Sequence, residues 1–131
     1  MINPSKRLLA ILLATALASS CTGARLHGDG MKDIDNGRYE EGLRKLDEAV
    51  SAEPRNVDFR ASAKAQHEEA VIKLLGAADR ARGAAHLDEA ELTYRRVLTI
   101  EPGNDRAQRG LDAVQADRRH SQSLTAAAAQ L

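Results

Sequence analysis

The chain has 131 residues, enough for one domain, and its 43% hydrophobic and 29% charged content falls in the ordinary globular range. Much of the apolar share is alanine, and the aromatics are Tyr39, Tyr94 and Phe59; such side chains suit close helix packing and exclude a sheet built on bulky β-branched runs. The formal charge is zero, and with Lys6 and Arg7 set aside in a removable leader the remainder is mildly acidic, with no basic stripe and few rings to stack on bases, so no nucleic-acid partner is expected.

Residues 1–20 have the three parts of a secretory signal. Lys6 and Arg7 supply a positive start, Leu8 to Ala18 an apolar run, and Ala18, Ser19 and Ser20 a small-residue end. The run is shorter than the roughly 20 residues a permanent membrane span needs. Cys21, the only cysteine, follows directly, so no intramolecular disulfide is possible. The stretch Leu17-Ala18-Ser19-Ser20-Cys21 resembles the bacterial lipobox, although Ala18 stands where that family usually has leucine. The resemblance implies cleavage before Cys21, a diacylglycerol on its thiol, and a lipidated tether over residues 21–24. Ordinary cleavage at Ala18-x-Ser20, leaving a free thiol, is the alternative. Thr22, in place of aspartate, is similar to the pattern that sorts such lipoproteins to the outer membrane of Gram-negative bacteria, which implies a lipid anchor on its periplasmic face.

From about Ala24 to Asn36 the sequence is loosely periodic, with Leu26, Met31 and Ile34 as its larger apolar residues. Gly37 offers a left-handed position that ends a helix at little cost. The next helix, about Tyr39 to Ala52, sets Tyr39, Gly42, Leu43, Leu46, Ala49 and Val50 on one face at helical spacing, with Glu40 and Glu41 in its first turn. Pro54 ends it, and Asn56 is placed to cap the helix after it. Val57 to about Arg82 holds no proline and one glycine, Gly76, and reads as one long helix. Its stripe is Val71, Leu74, Leu75, Ala78 and Ala81, while the early half relies on Ala61, Ala63 and Ala65. Gly83 starts a second turn, after which Leu87, Ala90, Tyr94, Val97 and Leu98 form a face that ends at Pro102. Asn104 or Asp105 caps a last helix carrying Ala107, Leu111 and Val114, polar from Asp117 to Ser123 and helix-prone to Leu131.

The pattern recurs: Glu53-Pro54-Arg55-Asn56 returns as Glu101-Pro102-Gly103-Asn104, and Pro54 and Pro102 are 48 positions apart. An internal repeat points to stacked like units. Gly30, Gly37, Tyr39, Gly42, Leu46, Ala49 and Pro54, then Ala78, Leu87, Ala90, Tyr94, Val97 and Pro102, resemble the key positions of the tetratricopeptide repeat. Gly42 departs from the usual alanine, and Ala85 stands where glycine is usual, with Gly83 two places early. The resemblance implies an all-α, antiparallel helix-hairpin solenoid over residues 25–120. The repeat exceeds the family's period of about 34 by close to four helical turns, so elongated helices are expected.

Adding one period to Gly83 reaches Leu131, so residues 121–131 read as the start of an incomplete third repeat, and the last helix has a face available for self-association. A polar cap at Asp117-Arg118-Arg119-His120 is the other reading. A lipobox followed by long-period repeats resembles the front of secretin-type outer-membrane proteins of type II secretion and type IV pilus systems. That resemblance implies a docking or assembly role with a protein or peptide segment of such a machine. A free-standing pilotin-like escort and an envelope-binding structural protein are the alternatives.

Catalytic chemistry is not indicated. His27, His67, His86 and His120 are scattered without metal-ligand spacing, no glycine-rich phosphate loop occurs, and Cys21 has no histidine nearby in sequence. No enzyme activity, cofactor or metal is expected. The family resemblance instead implies a concave groove lined by His27, Met31, Asp35, Leu75, Asp79 and Arg82, suited to a peptide held by hydrogen bonds and a few apolar anchors. Core roles for Met31 and Leu75 are the alternative.

Overall fold

The computed structural model describes residues 21–130, so the leader assigned to residues 1–20 lies outside the described residues. Among the described residues there are five helices and no strand. They are α1 (21–35), α2 (Tyr39–Ala52), α3 (Val57–Gly83), α4 (Leu87–Ile100) and α5 (Asp105–Ala128). The all-α class follows from the composition: alanine and straight-chain residues lose little side-chain entropy in a helix, and Pro54 and Pro102 stand outside the helices. The described residues divide into two compact units, one ending at His67 and the other beginning at Glu68, with the boundary inside α3.

The two α-to-α turns that carry proline are built alike. In the first, the Asn56 N–H donates to the Glu53 carbonyl at 2.9 Å, and Asn56 Oδ1 accepts from the N–H groups of Asp58 and Phe59 at 3.1 and 3.2 Å. In the second, the Asn104 N–H donates to the Glu101 carbonyl at 3.0 Å, and Asn104 Oδ1 accepts from the Ala107 N–H at 2.9 Å. Asn104, rather than Asp105, is therefore the cap of α5. Each asparagine also donates its Nδ2 to the preceding glutamate, at 3.2 Å to Glu53 and 3.1 Å to Glu101. Such a cap supplies acceptors to helix N–H groups that otherwise have none, worth about 1 kcal/mol each.

In the first unit, α1 and α2 run antiparallel and touch backbone to backbone. A Cβ on Gly42 would lie 2.6 Å from the Gly30 carbonyl oxygen, and one on Gly30 would lie 2.8 Å from that of Gly42. Leu46 fills the space beside Gly30, and Ile34, Leu43, Leu46, Ala49 and Ala63 are the unit's buried apolar residues. Asp33 is buried with them.

The second unit buries larger side chains at the positions 48 residues on. Ala78 and Ala90, both fully buried, stand one period after Gly30 and Gly42, and Tyr94 and Val97 stand one period after Leu46 and Ala49. Tyr94 lies across α5 so closely that a Cβ on Gly110 would collide with its ring. The predicted stripe of α3 is buried throughout from Val71 to Ala81, joined by Ala70; in its early half Ala63 is buried while Ala61 and Ala65 are exposed.

Two local expectations change. Gly83 does not open the second turn: it is the last residue of α3, and Ala85 takes the left-handed backbone with φ of 61°. Leu98, placed on the buried face of α4, is only half-buried, whereas Val97 is fully buried.

Candidate functional site

Cys21 is exposed on α1. Two residues later Gly23 is buried, because a Cβ there would collide with Glu53 Oε1 of the α2–α3 turn. That oxygen is buried without a hydrogen-bond partner, while Oε2 takes the Asn56 amide. Beside it an open concavity of about 510 Å³ is lined, among the described residues, by Glu53, Pro54, Arg55 and Asn56. The segment assigned as a tether is thus helical, and Gly23 within it lies against the body of the first unit.

The residues assigned to a groove divide between the units. In the first, the His27 ring stacks on Phe59 with centroids 4.7 Å apart and planes at 11°, and its Nε2 lies 2.9 Å from Ser62 Oγ. The Ser62 hydroxyl is also 3.7 Å from Met31 Sδ, so His27 and Met31 meet the start of α3 together. Asp35 is exposed at the end of α1. In the second unit Leu75 is buried core. Asp79 accepts from the Tyr94 hydroxyl and from Arg106, both at 2.5 Å, and Arg82 Nε donates to Asp117 at 2.8 Å. The polar groove candidates of this unit therefore already have partners within the chain.

The electrostatics follow from those partners. The hydrogen bond from Tyr94, then that from Arg106, holds the Asp79 carboxyl below its ordinary range despite partial burial. Burial first, and the Asp79 hydrogen bond second, push the Tyr94 hydroxyl up to about 12. In the first unit Lys45 and Arg38 converge on buried Asp33 and lower its pKa in the same way. Sequence periodicity misses Asp33 because an acid on an apolar face looks like an interruption; the available signal is Lys45, a basic residue beside the same helix contact.

Further ion pairs tie α4 to α5, where Arg118 bridges Asp88 at 2.5 Å and Glu91 at 2.7 Å. Partly exposed pairs of this kind contribute at most about 1 kcal/mol each. From Arg119 to Gln130 every residue is exposed, including Leu124, so the end of α5 presents an uncovered surface. Among the described residues no group of His, Cys, Asp or Glu side chains could hold a metal ion, and no helix is long and apolar enough to cross a membrane.

Compared with known proteins, the chain matches no family model, no curated protein and no solved structure.

Proposed function

We propose that this chain is a tetratricopeptide-like helical-hairpin lipoprotein, anchored through Cys21 to the periplasmic face of the outer membrane, that serves as a non-catalytic docking or assembly module of a secretion or pilus machine. The observation that supports the repeat reading is the paired turn. Glu53-Pro54-Arg55-Asn56 and Glu101-Pro102-Gly103-Asn104 share three hydrogen bonds one period apart: asparagine N–H to the glutamate carbonyl, asparagine Nδ2 to the glutamate carboxylate, and asparagine Oδ1 accepting from the N–H three residues on. Repeats of this kind present surfaces instead of catalytic groups. The lipobox-like stretch before exposed Cys21 supports the anchor.

The test has two parts. Intact mass of the protein isolated from Gram-negative envelopes should show loss of residues 1–20 and the gain of acyl chains, and Cys21→Ser should abolish the gain. Deleting the gene in its native cell should then reduce the assembled outer-membrane channel of the secretion or pilus system. Undiminished channel assembly in the deleted strain sinks the docking role, whatever the mass shows.

A further inference from the structure

A lipid anchor at the end of a long flexible linker leaves a domain free to tumble above a bilayer. Here the body begins almost at the anchor. Gly23 is held under Glu53, which places Cys21 about 3 Å of helix rise from a fixed contact with the α2–α3 turn. Around that contact lie exposed Pro54, Arg55 and Val57, and Val57 is 63% exposed, among the largest exposures of any apolar side chain in the structure. Arg25, also exposed, stands one helical turn from Cys21 on the same face of α1.

We infer that this end of the first unit is a membrane-apposed surface: with Cys21 acylated, Pro54 and Val57 enter the headgroup layer of a phospholipid bilayer, and Arg25 and Arg55 meet lipid phosphates. The inference rests on the proposed acylation of Cys21. Its physical basis is length. A glyceride on the Cys21 thiol sits at headgroup depth, and the single intervening residue, Thr22, cannot carry the α2–α3 turn beyond that layer. An apolar pair flanked by guanidinium groups is the composition that such an interface takes up. Asp58, exposed beside Val57, opposes the attraction in part and keeps the surface dependent on the lipid for its hold. The other end of α1, at Asp35, lies about 21 Å away along the helix, beyond the reach of the same layer.

The chain has no tryptophan, so a single introduced indole reports its own depth. The full-length gene carrying Val57→Trp, or Asp35→Trp as the distant control, is expressed in a Gram-negative host, and the processed protein is purified and returned to vesicles of brominated phosphatidylcholine with phosphatidylglycerol. Both positions are exposed, so neither change disturbs the core. Emission from the residue-57 indole should shift to the blue and fall about twofold, with the residue-35 indole unaffected. Adding Arg55→Glu should return the residue-57 emission towards its value in detergent. Equal quenching at both positions, or none at residue 57 in a protein whose mass carries the lipid, overturns the membrane-apposed surface and leaves the anchor standing. A mass without lipid overturns the anchor and the inference with it.

Discussion

Ala85 occupies the left-handed backbone position, φ 61°, that Gly37 occupies one period earlier at φ 77°. Both residues close a helix: the Arg38 N–H reaches back to the Asp33 carbonyl, and the His86 N–H to that of Ala81, each at 2.9 Å. An L-residue in this region carries about 1–2 kcal/mol of steric cost, whereas glycine carries none beyond its greater freedom when unfolded. Ala85→Gly should therefore stabilise the protein by about 0.5–1 kcal/mol in urea melts. Gly83→Ala should add a similar gain, since Gly83 is helical and a Cβ there meets nothing within 4 Å. A lower midpoint for Ala85→Gly would contradict the left-handed assignment.

The glycine contact between α1 and α2 makes the opposite demand. Gly42→Ala drives a methyl against the Gly30 carbonyl and Ile34, and neither a backbone oxygen nor a β-branched residue yields easily. We expect a loss of about 1–3 kcal/mol, with a similar loss for Gly30→Ala. Ala90→Gly, at the equivalent place in the second unit, should cost only about 1 kcal/mol, as a helix-interior glycine does. Thermal melts of the three variants suffice; a neutral Gly42→Ala would mean that the helices stand further apart.

Core polarity gives a sharper contrast. Val97→Asp places an unpaired charge at a fully buried site and should abolish the cooperative melt, while Leu98→Asp, at a half-buried site, should weaken the fold without destroying it. Circular dichroism of both variants at one temperature decides the register of α4. The reverse order would turn the helix by one residue.

The acid and alkaline limits of stability have separate causes. Asp33 and Asp79 have folded pKa values below the ordinary 3.8, so the unfolded chain binds their protons first as the pH falls. Their stabilisation is complete above about pH 4 and is lost as pH drops through the lowered values. Asp33→Asn should flatten that decline. Tyr94 behaves oppositely: its folded pKa, about 12, exceeds the ordinary 10.0, so its contribution is complete below pH 10 and lost as pH rises towards 12. Tyr94→Phe should remove this alkaline loss, as measured by urea melts at neutral pH and above pH 10; an unchanged slope would show that neither burial nor Asp79 keeps the hydroxyl protonated.

Helix boundaries were legible in the sequence because they rest on local rules. Pro54 and Pro102 cannot continue a helix, Asn56 and Asn104 cap the next one, and apolar residues at helical spacing mark α2 and the later half of α3. Contacts that depend on two distant segments were less legible. The deeper burial of Val97 than of Leu98, and the place of Asp33 inside the first unit, depend on where a neighbouring helix passes, which spacing along one helix does not encode. The groove residues came from a family pattern, and their partners here are particular to this chain: Phe59 and Ser62 for His27, Tyr94 and Arg106 for Asp79. The contact of Gly23 with Glu53 had no sequence signal, since a lone glycine after a small-residue run reads as linker.

A chain whose two proline turns share one pattern risks pairing the wrong helices while it folds, because positions 48 residues apart are alike. The exchange of sizes at two positions answers it. Tyr94 has Gly110 before it, whereas Ser62 stands at the glycine's equivalent place in the first unit and Leu46 at the tyrosine's. A tyrosine that leaves no room for a Cβ at Gly110 would meet one at Ser62, and Leu46 set before Gly110 would leave a void. Mispaired hairpins are thus penalised on both sides, by collision in one and by lost packing in the other. The difference in size at these two positions thus favours the pairing of Tyr94 with Gly110 over its pairing with Ser62.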